Sequence, residues 1–351
     1  MTTYYVTTSG SDSNNGLTEG TAFATPGYAA GQATTSGDII YIKAGTYTLS
    51  TTTSNVSGGP VNLSRGLKVE GYQTTTGDQA ARPVINAGSQ AVTNVINYSS
   101  PSNNTLGTIC KSIEVNGNSV ATNGINAGAN WNGTISNCII RNCTYGFVGG
   151  QSGNADTSYA INCTDGFRGR RFYLCYAKQC TNGFNSTGNG FVFDSCIADS
   201  CSYAFYMFQT PGSVTNSIAY ASTNDGFRSQ YDLVTFTKCI ASENGGYGWY
   251  MGNSGADEST IDCADYNNAL GRTIGVNSNL DIRPINLTAD PFTSASTGDF
   301  TLNNDTGGGA ELRQIQLSGL AGVNGVFDVG AIDAVVTAGG GGAVLHPLRS
   351  N

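Results

Sequence analysis

The side chains of this sequence that could do chemistry are few, and most are acids. Two identical DGFR segments carry Asp165 with Arg168 and Asp225 with Arg228, and Asp194 and Asp199 fall five residues apart. Carboxylate pairs serve polysaccharide-cleaving enzymes as acid, base or nucleophile. The lone histidine, His346, sits close to the C-terminus, so Ser-His-Asp, Cys-His and histidine-assisted hydrolysis have no base. Each acid also has a plainer explanation. Asp favours the position before a glycine at a turn, its Arg partner is then a solvated outer residue, and Asp194 and Asp199 suit a solvated surface. We assign no catalytic residue from the sequence. The first reading is non-enzymatic, and the alternative is a lyase or hydrolase that relies on carboxylates.

A second set is more informative. The residues that follow a recurring aromatic are Val148, Arg168, Asn185, Tyr206, Arg228 and Tyr250. With Tyr247, Trp249, Asp165 and Asp225 they predict an Arg/Tyr strip on one outer face of the molecule. Flat rings and guanidinium planes suit sugar rings. They suit protein interfaces equally. Contact with another subunit is the first reading of the strip and carbohydrate binding the second.

The elements that position this strip follow from an internal repeat of about 22 residues. One column of small residues runs Cys138, Ser158, Cys175, Cys196, Ser217, Cys239 and Cys263, and a second, five residues later, runs Cys143, Cys163, Cys180, Cys201, Ser222, Asn244 and Asn268. Each unit then closes with Gly or Ala before an aromatic, as in Gly146-Phe147, Gly183-Phe184, Ala204-Phe205 and Gly248-Trp249. A unit this short has no room for a crossover helix, and its runs (YAINC, GFVFDSC) alternate as strands do. Stacked coils of strand account for the columns, because like positions on neighbouring coils then lie about 4.8 Å apart. Cys, Ser and Asn stack on their own kind inside a narrow tube, Gly provides a positive-φ corner, and the aromatic fills the interior. The ten cysteines are read as a ladder of buried free thiols rather than a disulfide framework. A C-x4-C spacing with one histidine argues against a metal site.

Composition narrows the partners. Charged residues are 11% of the chain, with 16 Lys+Arg and a net charge of −8, which argues against nucleic acid. No apolar run is long enough to span a membrane. MTTYYVTTSG has neither a basic nor an apolar leader region, so no signal peptide is expected, although the composition looks extracellular. A virion component or a mature extracellular form reconciles the two.

The ends of the chain carry a resemblance. YYV-x3-GSDSNNG-x3-GTAF followed by GDIIYIKAGTY resembles the start of pectate-lyase-like right-handed parallel β-helix proteins, with Pro26 to Gln32 as a short helix. ADPFTSASTGDFTL (Ala289–Leu302) and VFDVGAIDA (Val326–Ala334) resemble their ending, although TGGGAELRQ departs from the usual middle of that pattern. The resemblance implies an all-β fold: a single-stranded right-handed parallel β-helix, a solenoid of about ten coils, with an N-terminal capping helix. Residues 1–50 would form the cap and first coil, 51–288 the β-helix, 289–335 a closing segment and 336–351 a Gly-rich tail. Relatives of this fold use clustered Asp with Ca²⁺ and an Arg or Lys base, or aspartates with a His. None of those motifs is matched, no cofactor is assigned, and bound Ca²⁺ is not indicated. The expected role is a structural, decoration or surface protein of a virion or other extracellular assembly, with adhesin-like glycan binding as a further alternative. Other assembly subunits, a second copy of the chain and polysaccharide are the expected partners, and Val344, Leu345 and Leu348 in the tail are candidates for docking on a neighbouring subunit.

Overall fold

A computed structural model describes residues 1–314, apart from 64–66, 79, 99–107, 129–132, 151–152, 209–210, 231–232, 253–258 and 273–279. The VFDVGAIDA segment, the Gly-rich tail with Val344, Leu345 and Leu348, and His346 lie outside the described residues. The chain divides into two compact units, Met1–Arg171 and Phe172 onward. Each is a stretch of right-handed parallel β-helix built from three sheets.

In the first unit the chain visits a first, a second and a third sheet in turn. The last complete coil runs through Asn154–Asp156, Tyr159–Ile161 and Asp165–Gly169. Strands pair in parallel one coil up and one coil down, for example Asn123↔Tyr145 and Tyr145↔Asp165 in the third sheet. The second unit repeats the scheme from Phe191–Asp194, Ile197–Asp199 and Tyr203–Met207 onward. Residues of one type stack as a result. Phe184, Phe205, Phe227 and Trp249 form an interior column with centroid spacings of 4.8, 4.8 and 5.3 Å and nearly parallel rings. Burying each ring is worth about 2–3 kcal/mol.

The corners between sheets explain the small-residue columns. Asn137, Asn142, Asn162, Gln179, Ser195, Ser200, Asn216 and Glu243 all take φ between 49° and 57°. Each immediately precedes a column residue. The carbonyl two residues before the column residue accepts the corner N–H of the preceding coil, as from Ser112 N–H to Ser136 O at 3.0 Å and from Leu174 N–H to Asp194 O at 3.1 Å, and the column side chain adds a second donor. Cys138 Sγ donates to Ser136 O at 3.4 Å, Cys175 to Tyr173 O at 3.3 Å and Cys196 to Asp194 O at 3.4 Å, while Ser217 Oγ donates to Thr215 O at 2.7 Å. These side-chain bonds supplement the backbone ones, and Cys138, Cys175, Cys196 and Ser217 are all fully buried at their corners. All ten cysteines are free and buried. The second column adds bonds between coils: Asn244 Nδ2 donates to Asn268 Oδ1 at 2.8 Å.

The glycines before the aromatics have a different role from the one expected. Gly146, Gly183, Gly226 and Gly248 are not among the positive-φ residues. They lie where atoms of the neighbouring coils approach closely. A Cβ on Gly183 would come within 2.6 Å of Ala204 O and 2.9 Å of Ala198 Cβ. Close approach excludes a side chain there, and no corner is involved.

At the N-terminus the helix Pro26–Gln32 forms where the sequence places it. Thr25 is its N-cap, but its hydroxyl accepts no helix N–H and instead donates to Asp12 Oδ2 at 2.7 Å. The Asp12 carboxylate also accepts the N–H groups of Ala24 and Thr25, which gives the GSDSNNG loop its purpose. Near the other end, Phe292–Ser294 and Asp299–Leu302 form an antiparallel hairpin. Its Phe300 meets Tyr220 at 5.4 Å and Tyr176 at 6.4 Å, so the closing segment lies against the outer side of the second sheet. TGGGAELRQ contributes a short helix, Gly309–Gln314.

Candidate functional site

The outer side of the third sheet in the second unit holds most of the residues singled out above. A strand leaves two side chains per coil on this side, one before and one after the buried Gly/Ala-aromatic pair. Successive coils present Asn182 with Asn185, Tyr203 with Tyr206, Asp225 with Arg228, and Tyr247 with Tyr250. Register is kept from Asn185 to Tyr206, Arg228 and Tyr250.

Arg228 is the centre of this surface. Its guanidinium carbon lies 5.2 Å from the Tyr203 ring centroid and 4.6 Å from that of Tyr250. Its Nη1 pairs with Asp225 Oδ2 at 3.0 Å. The other Asp225 oxygen accepts the backbone N–H of Tyr247 at 3.0 Å, so the carboxylate is fixed at both ends. A guanidinium held between two rings is worth about 0.5–2 kcal/mol and cannot swing away. The tyrosines of one coil also lie near each other, Tyr203 and Tyr206 at 5.8 Å and Tyr247 and Tyr250 at 5.9 Å. Phe208, 44% exposed, extends the aromatic surface beside Tyr206 at 6.3 Å.

Three expectations need correction. Trp249 does not belong to the strip: it is fully buried, stacked on Phe227 inside the tube, because it occupies the inward position of its strand. Asp225 is buried at 6% exposure, held by Arg228 and a backbone N–H, so it supports the face from beneath. Asp199 is not a solvated surface acid. It is buried and binds Lys178 Nζ at 2.9 Å, the Tyr176 hydroxyl at 2.6 Å and the Ser200 hydroxyl at 2.7 Å. Asp194, on the first sheet, accepts from Asn216 Nδ2 at 3.0 Å and from Ser195 Oγ. Arg168 and Asp165 lie on the third sheet of the first unit, with Arg168 over the Tyr145 ring at 4.8 Å and Asp165 buried.

Sequence reasoning missed Tyr203 and Tyr145. The signal was present, since both occupy the position before the Gly/Ala-aromatic pair, but only the position after it was followed as a column. Among the described residues, no three His, Cys, Asp or Glu side chains group where a metal ion could be held. No helix among them is long and apolar enough to cross a membrane.

The three-sheet coil, the left-handed corners and the stacked interior columns define the chain as a pectate-lyase-like right-handed parallel β-helix. Among solved structures it is similar to pectate lyase Pel9A, with a TM-score of 0.56 and 18% identity over 87% of this chain and 90% of that one. It is also similar to a rhamnogalacturonan lyase, with a TM-score of 0.50 and 16% identity over 89% of this chain and 98% of that one. No protein-family model matches the sequence, and no curated protein does. At these identities the likeness speaks for the fold alone.

Proposed function

We propose that this chain is a rigid, non-catalytic β-helix of a virion or other extracellular surface assembly, and that it recognises an extended glycan along the outer third sheet of its second unit. The observation that carries this reading is Arg228 held between the rings of Tyr203 and Tyr250 and neutralised by Asp225. Tyrosine faces pack against the C–H faces of pyranose rings, while the tyrosine hydroxyls and the guanidinium offer hydrogen bonds to sugar hydroxyls. Coils rise by about 4.8 Å, close to the rise of one residue in an extended polysaccharide. A sugar chain laid along the coils therefore meets one row of side chains per residue. Tyr and Arg are also enriched in protein interfaces, so self-association through this face is the outcome that would count against the glycan reading.

The non-catalytic part of the proposal rests on the same bookkeeping of partners. The carboxylates of Asp194, Asp199 and Asp225 are each committed to neighbouring side chains or backbone. For assembly, the tail residues Val344, Leu345 and Leu348 are proposed to dock on a second copy, and removal of residues 336–351 would then reduce the size in solution.

A panel of neutral and acidic polysaccharides tests the reading. Binding is expected for the wild-type chain and is expected to fall at least tenfold in the Tyr206→Ala, Arg228→Ala double variant. Undiminished binding by that variant would remove the strip as the site. Release of reducing ends or unsaturated products would overturn the non-catalytic assignment and favour a carboxylate-dependent lyase or hydrolase.

A further inference from the structure

The second unit is not alone in carrying the pattern. In the first unit, three successive coils of the third sheet present Asn123 with Asn126, Tyr145 with Val148, and Asp165 with Arg168, in register. In the second unit, three successive coils present Asn182 with Asn185, Tyr203 with Tyr206, and Asp225 with Arg228. The order is the same: an amide row, an aromatic row, an acid–base row. The inward residues between them are dictated by the core, Gly or Ala followed by Ile or Phe. Of the outward residues, Asp165 and Asp225 are buried, whereas Tyr145, Arg168, Tyr203 and Arg228 are only part-buried, so the core does not dictate the ring–guanidinium pairs.

The geometry repeats as well. Arg168 lies 4.8 Å over the ring of Tyr145, one coil before it, and Arg228 lies 5.2 Å over the ring of Tyr203, again one coil before it. The amide row of the first unit is itself tied to the coils before it: Asn123 Nδ2 donates to Asn94 Oδ1 at 2.7 Å and Asn126 Nδ2 to Asn97 Oδ1 at 3.1 Å. That ladder orients the amides and presets the sheet face.

We infer that the first unit carries a second glycan site, built on Asn123, Asn126, Tyr145 and Arg168, which takes the same class of extended, hydroxyl-rich oligosaccharide as the strip of the second unit. This rests on the proposed function, since it assigns the same chemistry to a second copy of the same surface. The two sites differ in strength. Val148 stands where the second unit has Tyr206, and the Tyr247/Tyr250 row is particular to the second unit. From the first row to the third, each site spans roughly 10 Å, enough for a short oligosaccharide with one ring per coil.

Native mass spectrometry with neutral trisaccharides (cellotriose, xylotriose and mannotriose) tests this. Wild-type chain is expected to take up two equivalents of the trisaccharide that binds, one at least threefold more weakly. The Tyr145→Ala, Arg168→Ala variant should lose the weaker equivalent and keep the stronger; Tyr145→Phe should keep both. The Tyr206→Ala, Arg228→Ala variant should retain only the weaker one. All these residues are on the outer side, and an unchanged thermal unfolding curve would show that each variant folds. A single wild-type equivalent, lost only in the second-unit variant, would overturn the second site and leave the proposed function standing. If none of the trisaccharides binds, both fall, and variants that then alter self-association identify the strips as protein contacts.

Discussion

Arg272 lies 4.5 Å over the indole of Trp249, on the last ring of the interior aromatic column of the second unit. The same guanidinium pairs with Asp265 at 3.2 Å and Asp281 at 2.6 Å, and donates to the carbonyl of Cys263. A stack of aromatic rings must end somewhere, and its terminal face would otherwise be open apolar surface. Here a planar cation lies on it. Two carboxylates from neighbouring coils hold the cation flat.

Removal of this lid should be costly. Arg272→Ala leaves two largely buried carboxylates facing each other, so a loss of about 3 kcal/mol is expected in denaturant unfolding. The pH dependence has a definite sign. Burial raises the Asp265 carboxyl above its usual range, Arg272 opposes this, and Asp281 adds to it. A raised carboxylate destabilises the fold at neutral pH and is relieved as pH falls through its folded value. The deficit of Arg272→Ala should therefore narrow as pH falls through the folded value of the Asp265 carboxyl. A constant deficit would mean that packing on Trp249, not charge, is what the arginine supplies.

Asp78 titrates in the opposite sense. Burial alone would raise it, but the backbone N–H groups of Gln73, Thr74, Thr75 and Ala80 outweigh that and hold it at about 2. A depressed carboxylate contributes stability above its unfolded value, and the contribution is lost as pH falls through the folded one. Amide hydrogen exchange in the turn from Gln73 to Ala80 should accelerate between about pH 4 and pH 2, after correction for intrinsic rates. Asp78→Asn should show the fast exchange already at pH 6.

The left-handed corners predict a stabilising substitution. Ala221 is held at φ 50°, where a Cβ is unfavourable by about 1–2 kcal/mol. Glycine removes that term and returns part of it as chain entropy in the unfolded state, so Ala221→Gly should gain about 0.5–1 kcal/mol. A lower melting temperature would mean that the Ala221 methyl packs more than its half-exposed position indicates.

The thiol ladder makes a prediction about reactivity. All ten cysteines are buried, and the Sγ atoms of Cys110 and Cys138 are 3.8 Å apart, far beyond bonding distance. Ellman's reagent should therefore titrate none in the native protein and ten in guanidinium. Substitution of Cys175 by Ser should change stability by under about 1 kcal/mol, because Ser158 and Ser217 already serve as donors in that column.

Much of this architecture was legible because a solenoid writes its third dimension into the sequence as columns. Cys138, Cys175 and Cys196 occupy equivalent corners, as their spacing implies, and the Phe column lies inside. What was hidden depended on backbone geometry. The corner residues range from Asn142 to Gln179 to Glu243, so no residue type announces the left-handed turn, and Gly183 was credited with a turn when it makes room. Trp249 was placed on the outer strip although its own column put it inside. Asp199 was read as solvated because its partners Lys178 and Tyr176 lie on the neighbouring coil, where only the stacking of coils brings them together. Of the candidate strip, Tyr206, Arg228 and Tyr250 were legible from one column, whereas Tyr203 needed the coil's other outward position.

The most direct test is a crystal structure of the chain soaked with the oligosaccharide it binds best. Pyranose rings are expected to lie on Tyr206 and Tyr250, with the Arg228 guanidinium hydrogen-bonded to ring hydroxyls between them. A sugar bound elsewhere, with those tyrosines buried against a neighbouring subunit in the assembled particle, would contradict the glycan reading.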